Sequence, residues 1–144
     1  MAKKIRDAMT PTARAVSPQQ SLVDAAKMMR DEDVGALPVV EDGRVVGMVT
    51  DRDIVVRAVA EGRDSAAVKA GEVASREVVA VEPDQDLDEA LNLMARHRVR
   101  RLPVVEQGRL VGVLAQADVA MQAKEKEAGE MLEEISQPSS TPRE

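Results

Sequence analysis

The 144-residue chain contains no phenylalanine, tyrosine, tryptophan or cysteine, and a single histidine. Each gap excludes something. Without aromatics the core has to be built from Val, Leu, Ile, Ala and eight Met, and a flat ligand has to lie against aliphatic walls. Without cysteine there is no disulfide framework, no thiolate nucleophile and no cysteine-rich metal pattern. His97 has no triad partner in the sequence, and the methionines, at helical spacing, suit core filling better than metal ligation. A protein with no catalytic constellation and no metal site is therefore expected. No apolar run approaches the ~20 residues of a membrane span, and no signal-peptide pattern opens the chain, so the expectation is a soluble, cytoplasmic protein that does not bind membranes. Twenty basic residues against 26 acidic ones leave a net charge of −6. General affinity for nucleic acid needs a basic footprint and is not expected.

What is present is one phrase written twice. At an offset of 65, Pro18 aligns with Pro83, Met29 with Met94, Pro38 with Pro103, Gly43 with Gly108, Gly47 with Gly112 and Asp53 with Asp118, without a gap. Such self-similarity marks two copies of one supersecondary unit. Leu22, Ala25, Ala26 and Met29 fall at i, i+3, i+4 and i+7, and Leu87, Ala90, Leu91 and Met94 repeat the pattern, each set giving the buried stripe of an amphipathic helix. Ser21 with Asp24, and Asp86 with Glu89, read as capping boxes at the helix starts. Then come LPVVEDGRVVGMVT and LPVVEQGRLVGVLA, pairs of β-branched runs joined at Asp42-Gly43 and Gln107-Gly108, which are hairpin signals. A second helix follows each hairpin, from about Asp51 to Glu61 and from about Gln116 onward. With a leading strand at Arg14 to Ser17 and at Val78 to Val81, each unit reads strand, helix, hairpin, helix. The expected fold class is α/β (α+β), with two repeats packed sheet to sheet about a pseudo-twofold axis, since neither half can bury its apolar sheet face alone. The repeats divide the chain at 1–65 and 66–120, leaving 121–144 as a helical extension and frayed tail.

The LPVV strand, the Gly-x-hydrophobic-x-Gly hairpin and the G-h-h-T-x-x-D sequence at Gly47, Thr50 and Asp53 resemble paired cystathionine β-synthase (CBS) domains, together a Bateman module. The resemblance covers about residues 5 to 120. It is especially similar to small stand-alone tandem proteins of the hypoxic response type. It implies a non-catalytic regulatory module that binds an adenine nucleotide (AMP, ADP or ATP) between the repeats and signals to an unidentified effector protein, and it implies a homodimer. The rival reading is a structural or protein-interaction module with no small-molecule ligand.

Two readings stand at Thr50 and Asp53. In one they are an N-cap and an acid in the first turn. Asp is one methylene shorter than the Glu or Gln of a capping box and so a poor partner for the N-cap N–H. In the other reading, which the resemblance implies, Asp53 accepts ribose hydroxyls and Thr50 faces phosphate. In the second repeat Ala115 replaces the threonine while Asp118 keeps the acid, so the second cleft is expected to be degenerate. His97, Arg98, Arg100 and Arg101 crowd the end of a helix, where cations are favoured. Arg100 and Arg101 lie beyond the helix, and the resemblance implies contact with nucleotide phosphates, which guanidinium groups suit. Gly35 and Ala36 occupy the same places in the first repeat and allow close backbone approach. Arg52 is a further phosphate candidate, though an exposed helix arginine is the commoner case. In the tail, Ala128, Met131, Leu132 and Ile135 form another helical stripe, expected to dock on the module or its dimer mate despite Gly129.

Overall fold

Along the chain come a 3-10 turn at Ile5–Asp7, β1 (Thr10–Pro11), α1 (Leu22–Glu32), β2 (Ala36–Glu41), β3 (Arg44–Thr50), α2 (Asp51–Ile54), a π-helical turn (Val55–Val59), α3 (Ala70–Val73), α4 (Leu87–His97), β4 (Arg101–Glu106) and β5 (Arg109–Ala115). A last helix, α5, begins at 116 and is followed to 122. This computed structural model describes residues 3–11 and 14–122. The stripe at Ala128, Met131, Leu132 and Ile135 lies outside the described residues.

The two copies reproduce each other in backbone detail. β2 pairs with β3 and β4 with β5 in the same antiparallel register, each with a bulge at the second valine of its VV pair. The hairpin loops hold two residues, and φ is positive at both: 54° at Asp42 and 81° at Gly43, 55° at Gln107 and 80° at Gly108. That is the twist-matched turn Asp-Gly announces. α1 and α4 end on left-handed residues, Asp33 at φ 53° and Arg98 at φ 55°, without glycine at either place.

Three local expectations are corrected. Ser21 caps α1, its hydroxyl accepting from the Asp24 N–H at 3.1 Å, but Asp86 makes no capping bond to α4. Its Oδ1 instead meets the Lys4 ammonium at 2.9 Å. The leading strands reduce to single parallel bridges, Val16 with Val39 and Val81 with Val104, because only one residue of each segment lies alongside the sheet. The helix from Asp51 widens into the π turn, with the Ala60 N–H donating to the Val55 carbonyl at 2.8 Å. Ala58 thereby faces the core while Val55, Val56 and Val59 stay exposed.

Two separate clusters form the interior. One gathers Val16, Leu22, Leu37, Val39 and Val49 with Val68, Ala70 and Val73. The other gathers Val81, Leu87, Leu102, Val104 and Leu114 with Ile5. The leading segments are thus exchanged: residues at the start of the second repeat complete the first core, and residues at the start of the first repeat complete the second. Equivalent bonds fasten both, from the Leu22 N–H to the Val68 carbonyl and from the Leu87 N–H to the Lys3 carbonyl, each at 3.0 Å. β1 adds to the edge of β5, and Ser75 bridges to Met48 on β3. Division of the chain at residue 65 follows the sequence repeat, whereas the cores are divided by this exchange.

Between the repeats, β3 and β5 pair in register at Arg44 and Arg109, with the Val45 N–H donating to the Gly108 carbonyl and the Leu110 N–H to the Gly43 carbonyl. Around that pair the contacts are reciprocal. Arg44 Nη1 donates to the Gln107 carbonyl at 3.3 Å and Arg109 Nη1 to the Asp42 carbonyl at 3.4 Å. A Cβ on Gly43 would collide with Arg109, and one on Gly108 with Arg44. These reciprocal contacts mark the pseudo-twofold axis.

Candidate functional site

Thr50 ends β3 and Asp53 sits in the first turn of α2, so strand and helix together fix both side chains. The Thr50 hydroxyl oxygen accepts from the Asp53 N–H at 3.0 Å, and Asp53 Oδ2 accepts from the Thr50 N–H at 3.0 Å. The box is reciprocal, and the expectation that aspartate is a poor partner for the N-cap N–H is corrected: the extended backbone at Thr50 (φ −116°, ψ 161°) brings the N–H within reach of the shorter acid.

Closing the box uses only part of each side chain. Asp53 Oδ1 is left beside Arg57, whose Nε stands 3.9 Å away. The Thr50 hydroxyl accepts within the box and keeps its own proton to donate. Asp53 is half-enclosed, with 18% of its side chain exposed.

Gly35 and Ala36 lie against this pair. Ala36 is the register partner of Thr50, and the Asp51 N–H donates to the Gly35 carbonyl at 2.9 Å. A Cβ at Gly35 would stand 3.0 Å from the carboxylate of the exposed Asp51. Arg52 is exposed on the first turn of α2, and among the described residues it enters no ion pair.

The second repeat assembles the equivalent junction from different residues. Asp118 Oδ2 accepts from the Ala115 N–H at 3.2 Å, half of the box surviving without the threonine. Arg101 is the register partner of Ala115, and the Gln116 N–H donates to the Arg100 carbonyl at 2.8 Å. Among the described residues neither Arg100 nor Arg101 is ion-paired. The structure therefore sorts the expected residues into two groups: Gly35, Ala36, Thr50, Arg52 and Asp53 at one junction, Arg100, Arg101 and Asp118 at the other.

Arg57 was not singled out in the sequence. Its signal was present, since it lies four residues after Asp53, the spacing at which helix side chains meet. Its Nη1 also donates to the Val73 carbonyl at 3.1 Å, tying the junction to α3. A shallow apolar groove lined by Leu22, Val23, Ala26, Arg30 and Ile54 opens between α1 and α2 and shares no residue with either junction. Among the described residues, no group of three His, Cys, Asp or Glu is placed to hold a metal ion, and no helix is long and apolar enough to cross a membrane.

The resolved electrostatic shifts lie on the exchanged segments. Lys4 is raised above the usual lysine range by its bond to Asp86, and Arg6 above its own by Asp84. Glu72 is held below the usual carboxylate range, first by the Lys69 N–H and then by Arg63.

Comparison with known proteins covers most of the chain. Residues 5–59 and 70–124 each match the CBS domain family. The CBS domain-containing protein YhcV of Bacillus subtilis is 45% identical over 133 residues, 92% of this chain and 94% of that protein. Hypoxic response protein 1 of Mycobacterium tuberculosis is 39% identical over 134 residues, 92% of this chain and 94% of that protein. A crystal structure of Hypoxic Response Protein I with two coordinated zinc ions superposes with a TM-score of 0.77 at 41% identity, covering 83% of this chain and 98% of that one. With both copies matched in order and nearly the full length of these relatives spanned, the chain belongs to the CBS domain family as a tandem pair.

Proposed function

We propose that this CBS pair is a non-catalytic regulatory module of the cytoplasm that binds an adenine nucleotide of the AMP, ADP or ATP type and passes its occupancy to a partner protein. The observation that carries the reading is the half-used capping box. Asp53 Oδ1 and the Thr50 hydroxyl proton remain available after the helix has been capped, an acceptor and a donor of the kind that ribose hydroxyls and a phosphate oxygen require. Gly35 allows close backbone approach beside them. In the second repeat Arg100 and Arg101, in no ion pair among the described residues, offer phosphate a charge-assisted partner, and Asp118 keeps an oxygen that the Ala115 N–H does not use while Ala115 has no hydroxyl. Tighter binding is assigned to the Thr50 junction. A homodimer completes the reading.

A second reading has its own support. Because the Thr50 and Asp53 bonds are reciprocal, capping alone accounts for both residues, and a protein-interaction module without a ligand needs nothing more.

The absent chromophores supply the test. With no Trp, Tyr or Cys, the native protein is almost transparent at 280 nm. A carried nucleotide is expected as a peak near 260 nm, released on denaturation and filtration, and added adenylate at a hundred times its Kd should stabilise the protein by ~2.7 kcal/mol. Absence of both the peak and any rise in melting temperature at millimolar adenylate favours the interaction module.

A further inference from the structure

Asp53 is braced from two sides. Its Oδ2 accepts from the Thr50 N–H at 3.0 Å, and its Oδ1 faces Arg57 Nε at 3.9 Å. Arg57 is itself held. Its Nη1 donates at 3.1 Å to the carbonyl of Val73, the last residue of α3, where a helix end leaves carbonyls without an intrahelical partner. The segment after α3 is in turn fastened to β3, the Ser75 N–H donating to the Met48 carbonyl at 2.8 Å and the Met48 N–H to the Ser75 carbonyl at 3.0 Å. A Cβ at Gly47 would stand 2.9 Å from that Ser75 carbonyl, so the close approach needs glycine on the strand. The contacts close a ring, from β3 through Asp53 and Arg57 to α3 and back to β3.

Among the described residues the ring is peculiar to the first repeat. At the position equivalent to Arg57 stands Gln122, whose Oε1 is buried with no hydrogen-bond partner, and Asp118 enters no ion pair. The local helix differs as well. Arg57 lies within the π turn Val55–Val59, whereas the equivalent residues 120–122 are α-helical. Breaks of helical register of this kind recur at functional sites.

We infer that Arg57 is a positioning residue of the first junction, setting the second oxygen of Asp53 for a ribose hydroxyl and coupling the occupancy of that oxygen to α3. This deepens the adenine-nucleotide reading and rests on it. A carboxylate oxygen has room for two donors, so Oδ1 accepts from a hydroxyl and keeps the guanidinium beside it. A ligand that fixes Oδ1 then fixes Arg57 and its bond to the Val73 carbonyl, and α3 becomes harder to open. Linkage makes the coupling reciprocal: what a bound nucleotide adds to the hold on α3, the hold on α3 adds to nucleotide affinity. With Gln122 in place of Arg57 the second junction lacks this connection, so the junctions differ in what their occupancy does. Arg57 is 55% exposed, and ion pairs this open contribute little to folding, which separates its role at the junction from a role in stability.

Hydrogen exchange of the full chain with and without AMP, beside a calorimetric titration with AMP, tests the coupling. In the wild type AMP is expected to slow exchange over residues 70–75 more than over the equivalent residues 5–10. Arg57→Gln installs the residue that the second repeat holds at that position, and circular dichroism checks the fold. It should melt close to wild type, bind AMP at least about fivefold more weakly and lose the added protection of 70–75. Arg57→Lys keeps the charge but not the planar fork that meets Asp53 and the Val73 carbonyl together, so it should recover part of the affinity and none of the protection. Absence of AMP binding by the wild type overturns the nucleotide reading and this one with it. Wild-type binding that protects 70–75 no more than 5–10, or an Arg57→Gln variant equal to wild type in affinity and protection, overturns the role of Arg57 and leaves the nucleotide reading in place.

Discussion

A capping box and a ligand site compete for the same atoms only if capping consumes them, and at Thr50 and Asp53 it does not. The Oδ2 atom of Asp53 is committed to the Thr50 N–H, and Oδ1, outside the cap, faces Arg57 at 3.9 Å. Substitution separates the two roles. Asp53→Asn keeps an oxygen for the cap and should cost under about 1 kcal/mol of stability, yet it removes the charge that strengthens hydrogen bonds from ribose hydroxyls. A melting curve close to wild type, together with a clear loss in a nucleotide titration, is the expected pair of results. At the second junction, Arg100→Ala or Arg101→Ala should weaken ATP by about 1.5 to 3 kcal/mol and leave adenosine nearly untouched. An equal loss for adenosine would trace the effect to a damaged fold. Thr50 and Asp53 stood out because the G-h-h-T-x-x-D pattern recurs with alanine in place of its threonine. That Asp53 also closes the box was not legible, because the backbone angle at Thr50 decides the reach and side-chain length alone does not.

Hairpins and long helices could be read directly, since Asp-Gly and a stripe at i, i+3, i+4 and i+7 are local signals of local structure. The exchange of leading segments could not. A repeat offset shows which residues are equivalent but not which copy they pack against, and Ile5 looks like the start of the first repeat although it is fully buried in the core of the second. Ile5→Ala is therefore expected to cost about 2 to 5 kcal/mol and to increase hydrogen exchange in α4 and β5 more than in α1 and β3. Uniform exchange changes would contradict two separate cores. On the other exchanged segment, Glu72 accepts from the Lys69 N–H at 2.7 Å and from Arg63 at 2.9 Å. A carboxylate whose folded value is depressed stabilises the fold above its unfolded value, and the contribution is lost as pH falls through the folded one. Wild type should melt above Glu72→Gln at neutral pH, and the gap should narrow as pH falls below the usual carboxylate range. A gap that persisted in acid would assign the effect to packing.

Across the whole molecule the repeats are equal in backbone and unequal in chemistry. The division follows the pseudo-twofold axis at Arg44 and Arg109. One junction has the hydroxyl and the carboxylate oxygen that faces Arg57, the other has guanidinium groups in no ion pair among the described residues, so the two junctions are expected to differ in affinity. Asp53→Ala should then remove the tighter of two adenylate binding events, while Asp118→Ala affects at most the weaker. The most direct measurement is a calorimetric titration of nucleotide-free protein with ATP and with AMP, run beside Asp53→Ala. Saturable binding by the wild type, with its tighter phase absent from the variant, is the predicted result. No heat of binding with either nucleotide, or isotherms that superpose for wild type and variant, would contradict the assignment of the Thr50 and Asp53 junction as an adenine-nucleotide site.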